Sequence, residues 1–185
     1  MTAQFPDTLE LDGEEYAIVG VQGAGLFQPV EHGLNPVART TSCWRGHVCH
    51  YALAGDRLLL KGLEVSTVDA PPPLFGVQPV VGEGSLLGAR YEGLNHPVPF
   101  TGGVLAGKNF IRKLYVHMGF HPAWKFATVH ELRFEAGRLT ARADRSEAMA
   151  RQRKDLERKP LGWTEGPLGE WIENSFRLDY DMGEE

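Results

Sequence analysis

A β-rich α+β fold is what this 185-residue sequence predicts: two related antiparallel hairpin-containing halves packed as a sandwich or half-open barrel, plus one C-terminal helix. Three observations lead there. The first is a recurrence. Trp44-Arg45 is followed, six residues after the tryptophan, by His50 and then by Gly55-Asp56-Arg57-Leu58; Trp124-Lys125 is followed at the same spacing by His130 and then by Gly137-Arg138-Leu139. A glycine stretch ending in an aromatic precedes each copy, at 20–27 and 102–110. A period of this length marks duplicated supersecondary units rather than one signature motif. The second is alternation: His130, Leu132 and Phe134 interleave with Glu131, Arg133 and Glu135, the period of a half-buried strand. The third is a single helix signature opening at Asp144, with Glu147 three residues on.

Taken in order, residues 15–21 read as a first strand running into the glycine-rich 20–25, and 29–36 as turns. Residues 47–53 place Cys49, Tyr51 and Leu53 on one strand face, Gly55-Asp56 supplies a turn, and 57–65 form the return strand. Asp69-Ala70-Pro71-Pro72-Pro73 then breaks the chain, because consecutive prolines cannot donate to a ladder. Residues 74–97, rich in glycine and proline, read as a connector with at most one short strand. After the second hairpin, the helix runs from 144 to about 158 and stops before Pro160. Its apolar seam, Met149 and Leu156, is thin enough to predict a helix that covers little core. The expected organisation is one domain of two related halves, 9–68 and 92–143. A helix at 144–159 follows, then an acidic tail at 160–185 that docks through Trp163, Trp171, Ile172 and Phe176.

Composition narrows the function classes. With 42% hydrophobic and 23% charged residues the chain has the makeup of an ordinary globular protein. No stretch approaches the ~20 apolar residues of a membrane span, and the first residues lack the basic and apolar regions of a signal peptide. The expectation is a cytoplasmic protein with no membrane partner. Cys43 and Cys49, about 20 Å apart if both lie on one extended strand, are expected to stay reduced. The net charge of −5 conceals a basic stretch at 145–159, six bases against three acids, followed at 164–185 by seven acids against Arg177. Such a pair is satisfied within one molecule, which with the acidic whole argues against nucleic acid as a partner.

Several constellations are weighed on chemistry. Residues 102–109 come within one residue of the phosphate-binding pattern G-x-x-x-x-G-K-[ST], with Lys108 in place and Asn109 where the hydroxyl belongs. The strand-to-helix context that makes such a loop work is missing. No histidine has dedicated metal-ligand spacing, so neither a metal nor a cofactor is expected. Cys49 beside His50 is not a dyad, because strand neighbours point to opposite faces.

The strongest pattern surrounds the repeated tryptophans. Trp44, Arg45 and His47, and again His121, Trp124 and Lys125, each combine an aromatic face, a cation and an imidazole. Such sets clamp an anionic or aromatic ligand, or anchor a protein interface. They equally describe tryptophans plugging a barrel while the cations snorkel outward. The functional expectation is a non-catalytic binding or interaction protein, such as an adaptor, an inhibitor or immunity-type partner, or a small-ligand sensor. It uses a cleft between the halves, and its partner is a protein or a small anionic or aromatic ligand. The alternative is a hydrolase or transferase in the same cleft, drawing on His117, His130, Glu131 or Lys108 beside the main set.

Overall fold

A computed structural model of the chain describes residues 2–24, 26–82, 84–158, 178 and 180. Nine strands are formed among them: β1 (Thr8–Leu11), β2 (Glu14–Gly23), β3 (His47–Ala54), β4 (Arg57–Val65), β5 (Val80–Val81), β6 (Ala89–Pro97), β7 (Gly102–Phe110), β8 (Phe126–Glu135) and β9 (Arg138–Asp144). One helix, α1 (Ser146–Arg158), follows, and short 3-10 turns sit at Pro29–His32, Arg112–Leu114 and Ala123–Lys125.

The strands make one sheet in the order β3-β1-β2-β7-β8-β9-β4-β6-β5, and β3 also pairs with β4, so the first seven of these close into a ring. Closure is uneven. The β9–β4 seam has one register pair, Arg57 with Arg138, reinforced by Leu58 N–H donating to Gly137 O (2.9 Å) and Leu139 N–H to Asp56 O (2.7 Å). Beyond it β4 pairs instead with β6, which with β5 extends the sheet past the ring. The result is a β-rich α+β fold built on a half-open barrel.

The interior follows from alternation. Leu9, Tyr51, Leu60, Val104, Leu132 and Phe134 come from five strands and meet in one apolar core, each almost fully buried. The Tyr51 hydroxyl accepts from Phe27 N–H (3.1 Å). At about 1.5–3 kcal/mol per fully buried large apolar side chain, this filling is the main source of stability. It leaves the barrel packed.

The two glycine stretches prove to be partners: β2 and β7 pair antiparallel, with Val21 opposite Val104 and Gly23 opposite Gly102. That explains residues 102–109 without a phosphate. Their backbone is committed to β2 and β8, and Lys108 Nζ meets the Glu14 carboxylate at 2.6 Å while lying over the Tyr16 ring.

A second apolar cluster lies on the outer face of β2, β7 and β8, where Val19, Leu105, Phe126 and Val129 are covered by Met149 of α1 and by Tyr180. Leu178 O also accepts from Val21 N–H (2.6 Å). The expected docking residues Trp163, Trp171, Ile172 and Phe176 lie outside the described residues. The helix uses Met149 and leaves Leu156 exposed, in line with its thin seam. Its start differs in detail. Asp144 ends β9, and its carboxylate accepts from Ser146 N–H (2.8 Å), whereas Glu147 pairs with Arg151 (2.8 Å).

Besides β7, which the sequence shows only as a glycine stretch, two strands depart from the sequence reading. β1 was not expected; Asp12 and Gly13, both at positive φ, form the two-residue hairpin joining it to β2. Residues 89–97 are a full strand rather than connector, with Ala89, Tyr91 and Leu94 buried. Gly93 and Asn95 at positive φ, and a register shift opposite Leu60 and Gly62, break the alternation that would have announced it.

Gly137 locks the seam. It has φ +78°, and a β-carbon there would stand 2.2 Å from Val98 O. Gly137→Ala is expected to destabilise the fold by about 2 kcal/mol or more, read as a lowered midpoint in urea denaturation. An unchanged midpoint would mean that the seam is slack.

Candidate functional site

The N-terminal segment organises one end of the barrel. Gln4 is buried and serves two loops: its Nε2 donates to Thr41 O (2.8 Å), its Oε1 accepts from Trp44 N–H (2.9 Å), and its own N–H donates to Gly119 O (2.9 Å). Asp7, three residues on, is the deeper anchor. Its two carboxylate oxygens accept a bidentate pair from Arg45 (2.9 Å each), and Oδ1 also accepts from Cys49 N–H (2.8 Å). The Asp7 backbone O accepts from Ile18 N–H (2.8 Å), so β2, β3 and the loop before β3 share one residue.

The predicted residues divide accordingly. Arg45 is spent on Asp7, and its guanidinium lies 5.4 Å from the Phe120 ring centre. Phe120 directly precedes His121, so Arg45 and Gln4 bring the first Trp-cation segment beside the second. His47 Nδ1 meets Arg45 O (3.0 Å), and burial followed by the Arg45 charge depresses its basicity. The Trp44 ring is 48% exposed. Both thiols are buried and free; burial raises that of Cys43, and Cys49 is raised well above the usual range by burial and then by Asp7. Neither is set up as a nucleophile.

The second set is built differently. Phe110 ends β7, the turn Arg112–Leu114 carries the chain to Tyr115 and His117, and the turn Ala123–Lys125 delivers it into β8. Arg153 of α1 fixes that second turn by donating to Trp124 O (2.7 Å) and Phe126 O (2.9 Å). The His121 ring leans on Phe110 at 4.7 Å between centres and meets Tyr115 at 5.2 Å, while the Tyr115 hydroxyl bonds His117 Nδ1 (2.8 Å). Tyr115 itself is 51% exposed.

Lys125 is the exception in this cluster. Only 6% of it is exposed, its Nζ lies 5.4 Å from the Trp124 ring centre, and no ion pair or hydrogen bond ties that Nζ to any described residue. Burial lowers its basicity. His121 Nδ1 is also buried without a hydrogen-bond partner, and burial, followed by the Lys125 charge, depresses the His121 pKa to about 4. Buried polar groups are almost always paired, so the unpaired His121 nitrogen asks for a polar partner, and the Lys125 ammonium stands next to it.

The weaker candidates separate. His130 faces inward beside Tyr16 (5.6 Å between ring centres), whereas Glu131, its strand neighbour, is buried on the outer face between Arg133 (3.3 Å) and Arg145 (2.5 Å). The two groups therefore cannot share a substrate. The repeat is also out of phase. His50, the counterpart of His130 by spacing, lines an outer groove of about 370 Å³ beside Thr8 and Lys61, while its neighbours Cys49 and Tyr51 face the core. Among the described residues no three His, Cys, Asp or Glu side chains converge as a metal site would require, and no helix is long and apolar enough to cross a membrane.

Sequence reasoning missed Asp7 and Gln4. Nothing local marks Asp7. No protein-family model, curated protein or solved structure matches the chain.

Two outcomes follow from this geometry. Asp7→Ala leaves a partly buried arginine without its carboxylate, and is expected to cost about 3 kcal/mol in chemical denaturation; a change under about 1 kcal/mol would place Arg45 among the ordinary surface ions. His121 has a folded pKa of about 4 against an unfolded value near 6.5. Between these values the unfolded chain holds more protons, so stability rises with pH from about 4 to about 6.5. His121→Gln should flatten that part of the melting-temperature profile. Parallel profiles for the two proteins would remove His121 from the account.

Proposed function

We propose that this protein is a non-catalytic binding protein that holds an anionic group at the end of its barrel, between Lys125, His121, Trp124 and Tyr115. One observation carries the reading: a lysine more than nine-tenths buried, with no partner among the described residues, beside an imidazole whose buried nitrogen also lacks one. An ammonium in that position is costly to the empty protein and becomes an asset when an anion arrives. Trp124 and Tyr115 supply aromatic surface next to the charge, which suits a ligand carrying both features.

The surroundings support binding more than turnover. His121, held neutral at pH 7 with a pKa of about 4, donates or accepts a hydrogen bond without changing charge, and lies well below the range of a general base poised near neutrality. Two reduced, buried thiols suit a cytoplasmic setting. The anion is carried by a small molecule or by a partner protein.

Calorimetric titration of the full chain with small carboxylate anions tests the reading. Lys125→Met, which keeps the length and apolar stem of the side chain, is expected to weaken binding by about tenfold or more, the scale of a lost charge-assisted bond. Equal affinity in the variant would contradict it.

A further inference from the structure

We infer that the ligand of this site is a small planar aromatic monocarboxylate; the inference rests on the anion-binding reading above and narrows it. The charge count comes first. Arg45 is neutralised by Asp7, Arg153 is spent on the Trp124 and Phe126 carbonyls, Lys108 is paired with Glu14, and Arg112 is exposed to water. That leaves one buried cation, Lys125. His121 adds no charge at neutral pH, because its pKa is about 4. A singly charged carboxylate matches one ammonium, whereas a dianionic phosphate would bring a second charge into a desolvated site with nothing to meet it.

The hydrogen-bonding capacity agrees. A carboxylate has two oxygens: one can accept from the Lys125 ammonium beside Trp124, the other from His121 Nδ1, which is buried without a partner and donates in the neutral tautomer that carries its proton there.

The body of the ligand is set by the walls. Lys125 Nζ stands over the face of the Trp124 indole, so an anion bound to it lies against that ring system. Phe110, His121 and Tyr115 form a chain of tilted and edge-on rings, with 4.7 Å between Phe110 and His121 and 5.2 Å between Tyr115 and His121. The Tyr115 ring is half exposed, although its hydroxyl is already bonded to His117. An exposed ring whose polar tip is already satisfied offers its face rather than its hydroxyl. A flat aromatic body stacks on that face in a way that a saturated one cannot.

Benzoate, cyclohexanecarboxylate and inorganic phosphate are the probes, titrated calorimetrically at pH 7.5 into the full chain and into the Tyr115→Leu variant. That variant alters a half-exposed side chain and leaves the core untouched. The expected result is benzoate bound about fivefold to tenfold more tightly than cyclohexanecarboxylate, with phosphate weaker still, and with the preference for benzoate lost in Tyr115→Leu. Equal affinity for the two carboxylates, or tighter binding of phosphate, would overturn the aromatic monocarboxylate while leaving an anion site in place. Failure of all three to bind would overturn both this inference and the reading beneath it.

Discussion

A ring of strands that fills its own interior decides where everything else in this protein goes. Leu9, Leu60, Val104 and Leu132 close the space from opposite walls, and Tyr51 takes up what remains with its hydroxyl satisfied at the Phe27 amide. Interiors packed in this way have no room for a guest. Polar chemistry is therefore displaced to the outer faces and the ends. The outer faces are largely settled: Glu131 is clasped by Arg133 and Arg145, and the apolar patch over β2, β7 and β8 lies under α1. The end that carries Lys125 is not settled.

The two Trp-cation pairs show how context assigns different roles to one local pattern. Arg45 finds a buried carboxylate thirty-eight residues away in sequence and becomes a strut, tying the loop before β3 to the chain's first residues. Lys125 finds no acid among the described residues, and keeps its charge against an indole face at the expense of its basicity. One holds a surface in shape, and the other is the cation on which the proposed anion site rests. Gln4 makes the two depend on each other, since its side-chain oxygen accepts from the Trp44 amide and its backbone N–H donates to the Gly119 carbonyl.

Much of the fold could be read from the sequence because local rules and tertiary demand agree there. The β8–β9 hairpin shows its alternation, Ala136 and Gly137 take the positive φ of a tight turn, and Asp144 marks the approach of the helix. β1 was legible too, since Asp12-Gly13 is a strong hairpin signal; its four residues were too short to stand out. β6 was not legible. Its buried Ala89, Tyr91 and Leu94 fall out of phase across Gly93, and only pairing with β4 reveals them as one strand. The same matter of phase separates the two Trp-to-His segments. Equal spacing from tryptophan to histidine does not ensure equal facing, because a one-residue offset turns a strand over, and so His50 looks outward while His130 looks in. At the site, residue types were visible, but whether a cation is paired is a long-range fact that no local pattern contains.

The central claim is that the barrel is sealed and that binding takes place at its Lys125 end. Backbone amide NMR spectra recorded during a benzoate titration test this most directly. Shift changes should concentrate on the segments from Phe110 to Tyr115 and from His121 to Phe126, with Tyr51, Leu60 and Val104 unmoved. Changes centred on those interior residues, or on the outer groove beside His50 and Lys61, would contradict it.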